Sequence, residues 1–101
     1  MRGLQTWLSP AADHLLALGT PHGARVTSVR RSPTLQRKLY RRYLAGKSRY
    51  PVAPPGRSMH ELGRAFDLFA QPDVLTWLGG IWEGMGGRWG GRFGDPIHFE
   101  A

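Results

Sequence analysis

Ser58-Met59-His60-Glu61-Leu62-Gly63-Arg64-Ala65-Phe66-Asp67 is the stretch on which the reading of this chain turns. It sets a histidine and an aspartate seven residues apart with a glycine between them. That spacing is wrong for two ligands on adjacent turns of one helix, where side chains three or four residues apart are neighbours. The arrangement it predicts is a loop carrying His60 that enters a strand carrying Asp67, with Gly63 permitting the bend. The helical zinc signature His-Glu-x-x-His is excluded, because Arg64 occupies its second histidine position.

Near the end of the chain, Gly94-Asp95-Pro96-Ile97-His98-Phe99-Glu100 supplies a second histidine and a second carboxylate. His98, on a neighbouring strand, completes a set of three candidate metal ligands with His60 and Asp67. Three protein ligands with a fourth position left to water is the catalytic arrangement of zinc, whereas a structural site is closed by a fourth ligand. Asp95 lies three residues before His98, across a proline that stiffens the turn. The expectation is that it lies beside the metal without binding it, able to take a proton from water and return it to a leaving amine, where a lone aspartate beside Gly and Pro would otherwise read as a turn residue. Zinc lowers the pKa of its water to about 7 and polarises a carbonyl, so this residue set points to amide hydrolysis.

Proline, serine and glycine punctuate the rest. Ser9-Pro10 opens a helix with Ser9 as its cap, carried by Ala11, Leu15, Leu16 and Leu18 and stopped by Gly19. Ala24 to Val29 reads as a strand. Ser32-Pro33 opens a second helix with Leu35, Leu39 and Tyr43 at spacing four and Gly46 at its end. Lys47 to Arg57, with Pro51, Pro54, Pro55 and Gly56, has no period and predicts an ordered loop. Arg64 to Phe69 reads as a strand and Gln71 to Trp82 as a third helix. The glycine-rich stretch 84–94 then leads to a last strand around Ile97 to Glu100. The expected fold is α+β, a small antiparallel sheet with about three helices and the zinc site on the sheet face.

With 101 residues the chain is expected to form one domain over residues 1–101. It contains no cysteine, which excludes disulfide frameworks and thiolate zinc fingers and leaves His and carboxylate as the only metal donors. No apolar run is long enough for a transmembrane segment, and the first residues lack a signal-peptide pattern. The net charge of +7 implies a polyanionic neighbour: nucleic acid, anionic lipid or an anionic wall polymer. Arg37, Lys38, Arg41, Arg42, Lys47 and Arg49 read first as a solvated helix face, and second as a surface drawn to an anionic wall or envelope. Trp77 and Trp82 are expected in the core, Trp89 along a groove, and His14 and His22 on the surface. Glu61 and Glu100 are either hydrogen-bond partners behind the metal ligands or plain solvent-facing carboxylates.

The pattern Ser58-x-His60-x-x-Gly63-x-Ala65-x-Asp67 followed by Asp95-x-x-His98 resembles the M15 family of zinc peptidases. That family includes D-alanyl-D-alanine carboxypeptidases and dipeptidases and phage L-alanyl-D-glutamate endolysins, which cut peptide bonds in the stems of bacterial peptidoglycan. Val26-Thr27-Ser28-Val29-Arg30-Arg31-Ser32, followed by Gln36 and Tyr40, is similar to the family's strand-to-helix segment, whose arginine faces the active site. The resemblance implies the hedgehog/D-Ala-D-Ala peptidase-like fold, with Zn2+ on His60, Asp67 and His98 and Asp95 as general base and acid. It implies Arg31 against the polarised carbonyl oxygen, though Arg30 stands beside it as an alternative. Ser58 either hydrogen-bonds substrate or holds the loop.

On this reading the protein is a zinc metallopeptidase acting on peptidoglycan, as carboxypeptidase or endopeptidase. It is expected to be a monomeric phage or prophage lysin held in the host cytoplasm before release to the cell wall, or a virion-associated component. Its partners are then the peptidoglycan peptide and an anionic wall surface, with no nucleic acid. Two rival readings stand beside it: a basic nucleic-acid-binding module, and a non-catalytic wall-binding or virion protein on the same fold.

Overall fold

The computed structural model describes residues 1–101. Helix α1 (Ser9–Gly19) and a 3-10 turn (Thr20–His22) lead into β1 (Arg25–Ser28) and α2 (Pro33–Leu44). After the loop come β2 (Ala65–Phe69), α3 (Pro72–Gly84), β3 (Arg88–Trp89), a 3-10 turn (Gly90–Phe93) and β4 (His98–Glu100). The strands form one antiparallel sheet in the order β1-β2-β4-β3, which puts β2 and β4 inside it. This is the small α+β architecture with three helices expected from the sequence.

Strand periodicity assigns the two faces of the sheet. Phe66 pairs with Phe99 across β2 and β4, Asp67 with His98, and Ala65 with Glu100. Because successive side chains point to opposite faces, Phe66, Leu68 and Phe99 enter the core while Asp67, His98 and Glu100 share the other face. The core joins these to Leu8, Ala12 and Leu15 of the α1 region and to Leu75, Leu78 and Trp82 of α3. Phe66 stacks on Phe99 with centroids 5.5 Å apart, and Trp82 meets Phe66 edge-on at 5.2 Å. The Trp82 indole N–H, buried by this packing, donates to the Glu100 carbonyl at 2.9 Å.

Four expectations about local structure need correction. Ser9 is the first residue of α1 rather than its cap; Leu8 holds the cap position, and the Ser9 hydroxyl donates instead to the Met1 carbonyl. The Leu35/Tyr43 stripe of α2 is exposed, and the one fully buried residue of that helix is Gln36. A polar anchor replaces an apolar one there, because α2 lies against the 47–57 loop, whose Ala53 carbonyl accepts from Gln36 Nε2 at 2.8 Å. Trp77 is exposed against His22, whereas Trp89 belongs to the core. Gly79 on α3 explains the latter: a Cβ at that position would overlap the Trp89 ring, so its absence opens the slot the indole fills. Finally, the glycine-rich stretch contains the short β3 and a 3-10 turn.

Candidate active site

Each site residue is aimed by its own local structure. Met59 to Gly63 form turns whose sharp exit is made by Gly63 at φ +66. A side chain at Gly63 would be strained and would also strike the Arg30 guanidinium and, at 2.9 Å, the Gly3 carbonyl. The Ser58 hydroxyl accepts from the His60 backbone N–H at 3.2 Å and so pins the turn from inside. His60 Nδ1 lies 2.6 Å from the Val29 carbonyl; a carbonyl only accepts, so Nδ1 carries a proton there, while Nε2 faces Asp67 Oδ1 at 3.1 Å.

Across the β2–β4 pair, His98 Nδ1 approaches the same Asp67 oxygen at 3.4 Å, while its Nε2 faces Glu100 Oε1 at 2.7 Å. One donor atom from each of His60, Asp67 and His98 lies within 4.8 Å of the others, and all three residues are largely withdrawn from solvent. Two imidazoles and one carboxylate of this spacing form a donor set suited to zinc. Glu100 is the partner behind His98 that the sequence left undecided, and it turns Nδ1 of that ring toward the donor cluster. Glu61 has a different duty: its carboxylate accepts from the Gly56 backbone N–H at 2.9 and 3.1 Å, closing the proline-rich loop.

Arg31, not Arg30, enters the site. Its backbone N–H donates to the His60 carbonyl at 3.1 Å, and its side chain donates to Ser28 Oγ at 2.9 Å, Gln36 Oε1 at 3.3 Å and Asp67 Oδ2 at 2.9 Å. Arg30 stays exposed over the Leu62 carbonyl. The register explains the difference, since β1 places Ser28 opposite Asp67 and the chain then turns Arg31 back over both. Gln36, to which the sequence assigned no role, thereby joins Arg31 to the loop wall through Ala53.

Asp95 follows the 3-10 turn and Gly94. Its backbone N–H donates to the Gly90 carbonyl at 2.8 Å, and its carbonyl accepts from the His98 N–H at 3.0 Å. Its Oδ1 is buried with no hydrogen-bond partner. Burial, aided by the nearby Asp67 charge, pushes the Asp95 carboxyl up to about 6 despite the opposing pull of His98. Asp67 moves the other way: burial alone would raise it, but hydrogen bonds from His60 and His98 and the Arg31 charge hold it well below the usual carboxylate range. For His98, burial alone would lower the imidazole; hydrogen bonding to Asp67 and Glu100 overrides this and pushes it up to about 9. These two carboxylates of the cleft are thus driven apart, Asp67 held as an anion by its cationic partners and Asp95 raised by burial.

These groups line one cleft of about 610 Å³, with the sheet face as its floor and the 48–53 loop and Phe93 on its sides. Among solved structures, the chain superimposes with a TM-score of 0.73 on a VanY D,D-pentapeptidase from a VanB-type vancomycin resistance cassette in complex with Zn(II). The match has 21% identity and covers 96% of this chain and 71% of that one. The fold is VanY-like. The same fold, with equal TM-score, is seen in VanYB in complex with D-alanine-D-alanine, at 22% identity over 96% of this chain and 70% of that one. The L,D-carboxypeptidase DacB from Streptococcus pneumoniae matches at TM-score 0.71 and 23% identity, with 98% of this chain covering 66% of that one. The L-Ala D-Glu endopeptidase ChiX of Serratia marcescens matches at 0.68 and 26%, over 98% of this chain and 80% of that one. No family model and no curated protein matches the sequence. No helix of this VanY-like fold is long and apolar enough to cross a membrane.

Proposed function

We propose that this chain is a zinc-dependent peptidase that hydrolyses peptide bonds in peptidoglycan stem peptides, with residues 1–101 acting as one domain. The observation that carries the reading is the meeting, in one cleft, of the His60/Asp67/His98 donor set with an Asp95 carboxylate oxygen that has no partner. A buried carboxylate left unsatisfied is costly unless it has a task there. The VanY-like fold supports the substrate class: the solved structures that share it include a D,D-pentapeptidase, an L,D-carboxypeptidase and an L-Ala D-Glu endopeptidase, and one is in complex with D-alanine-D-alanine.

His60 Nε2, Asp67 and His98 Nδ1 would hold the ion. Zinc bound there supplies Lewis acidity toward a carbonyl and makes water nucleophilic at neutral pH. Asp95, with its carboxyl near 6, takes a proton from the attacking water and returns it to the departing amine. Arg31 spends three donated hydrogen bonds on Ser28, Gln36 and Asp67. A guanidinium has five N–H groups, so two remain for the substrate carbonyl oxygen, where negative charge develops in the transition state. Ser58 acts through the loop, by fixing the His60 backbone.

The finer reading is a monomeric phage or prophage lysin, reaching the wall from the host cytoplasm or carried on the virion. It draws support from the basic charge of the chain. The decisive experiment is mass spectrometry of purified muropeptides after incubation with zinc-loaded protein and with an Asp95→Ala control. Loss of terminal D-alanine establishes a carboxypeptidase, and a cut inside the stem establishes an endopeptidase. Unchanged muropeptides with stoichiometric zinc bound would overturn the catalytic reading in favour of a wall-binding or virion protein.

A further inference from the structure

The charge of this molecule is concentrated in one segment. Residues 30–57 hold nine of the 14 lysines and arginines and no aspartate or glutamate. The other 73 residues carry five cations against seven carboxylates, so the basic character belongs to this segment alone. Of its nine cations only Arg31 is paired with a carboxylate. The remaining eight are exposed.

Structure arranges them further. On α2, Arg37, Lys38, Arg41 and Arg42 fall at spacings of one, four and five, which gathers them on one side of a helix. The opposite side carries Gln36, tied to Ala53, and Leu39, which lines the cleft. The cationic face therefore points away from the body, and the segment's inner side forms a wall of the cleft. A helix lying in a lipid interface needs a continuous apolar face turned outward. On α2 the exposed Leu35 and Leu44 are separated by the four cations, so a membrane does not fit. Nor does the segment carry a recognisable nucleic-acid motif to read bases.

We propose that residues 30–57 are a docking surface for a linear phosphodiester polymer of the cell wall, of the poly(glycerol phosphate) type, and that this contact holds the wall beside the cleft. The choice of polymer rests on the peptidase reading above: a polyanion attached to the same wall as the stem peptide brings substrate to the adjoining groove. Four like charges on one helix face disfavour the free helix, and a bound polyanion relieves that repulsion.

The test is fluorescence anisotropy of labelled poly(glycerol phosphate) with wild type and with the variant Arg37→Gln/Lys38→Gln/Arg41→Gln/Arg42→Gln, between about 50 and 200 mM salt. By the counterion-release behaviour of flexible polyanions, removing four contacts should flatten the log–log salt slope by roughly 3. Binding at the lower salt should weaken by more than tenfold. The all-lysine version of the same four positions should retain binding, and each half-variant should lose about half the slope, which covers a failure of the quadruple variant to fold. Unchanged affinity in the glutamine variants overturns the proposal. So does tighter wild-type binding, at equal phosphate, to duplex DNA or to phosphatidylglycerol vesicles. Turnover of soluble muropeptides, measured alongside, should be the same in wild type and variant; polymer binding without any turnover overturns the peptidase reading and not the surface.

Discussion

The two faces of the β2–β4 pair are made from alternate residues of the same strands, yet they are built on opposite terms. On the core face, Phe66, Leu68 and Phe99 are wholly buried and satisfied by contact alone. On the cleft face, Asp67, His98 and Glu100 are withdrawn from water and depend on one another, on Arg31 and on His60. The first face supplies the stability that lets the second hold charges in place. That division explains how so short a chain can carry a buried ionic cluster: the register aligning Phe66 with Phe99 is the one aligning Asp67 with His98.

Replacing one ligand on the cleft face should have the largest effect. His98→Ala is expected to abolish zinc binding and turnover together, measured by metal content after dialysis and by muropeptide cleavage. Stoichiometric zinc in this variant would remove His98 from the ligand set.

Asp95→Asn separates chemistry from stability. Turnover should fall by about 10²- to 10⁴-fold, the usual contribution of a general acid-base group, with zinc still bound. In wild type the acid limb of kcat/KM should lie at or below about pH 6, because the protonated Asp95 carboxyl cannot accept a proton. The metal-free variant should also be more stable than metal-free wild type at neutral pH. The sign follows from the upward shift: the folded form holds its Asp95 proton up to about 6 while the unfolded chain releases it near 3.9. Wild-type stability from this group is complete below about pH 4 and is lost as pH rises through 6, so the two proteins should converge in acid. Equal urea midpoints at pH 7 would show that the buried carboxylate is under no strain.

On the core face, Phe66→Ala should lower stability by about 3–5 kcal/mol, read from urea unfolding. Zinc affinity of the fraction still folded should change little if the two faces are independent, and a matched fall would show them coupled. The smallest effect is expected from Glu100→Ala, which frees His98 Nε2. Zinc binding, measured by chelator competition, should weaken by about 10- to 100-fold, with recovery in Glu100→Gln, whose amide oxygen still accepts from the ring. Full affinity in Glu100→Ala would reduce that carboxylate to a partner of Arg88.

Much of this was legible in residue order because it depends on local grammar. Pro33 after a capping Ser32 starts α2, Gly63 bends the chain, and the β2 run alternates so that Asp67 must face away from Phe66 and Leu68. The local signal failed where partners come from elsewhere in the chain. Trp89 is buried because Gly79, ten residues earlier on α3, leaves room for it. Trp77 is exposed because it lies on the side of α3 opposite the buried face of Leu75, Leu78 and Trp82. The two-residue β3 is too short to show a period and exists through its pairing with β4.

By itself the sequence determined the donor types, their order, the lack of any thiolate alternative and the segment in which positive charge collects. Only tertiary structure decided between Arg30 and Arg31, gave Glu100 its place behind His98, and turned Gln36 into the tie between Arg31 and the loop. Residue type and spacing set what a side chain can do within a few positions of itself. Which distant group it meets is decided by strand register and packing, as when β1, β2 and β4 bring Ser28, Asp67 and His98 into one row.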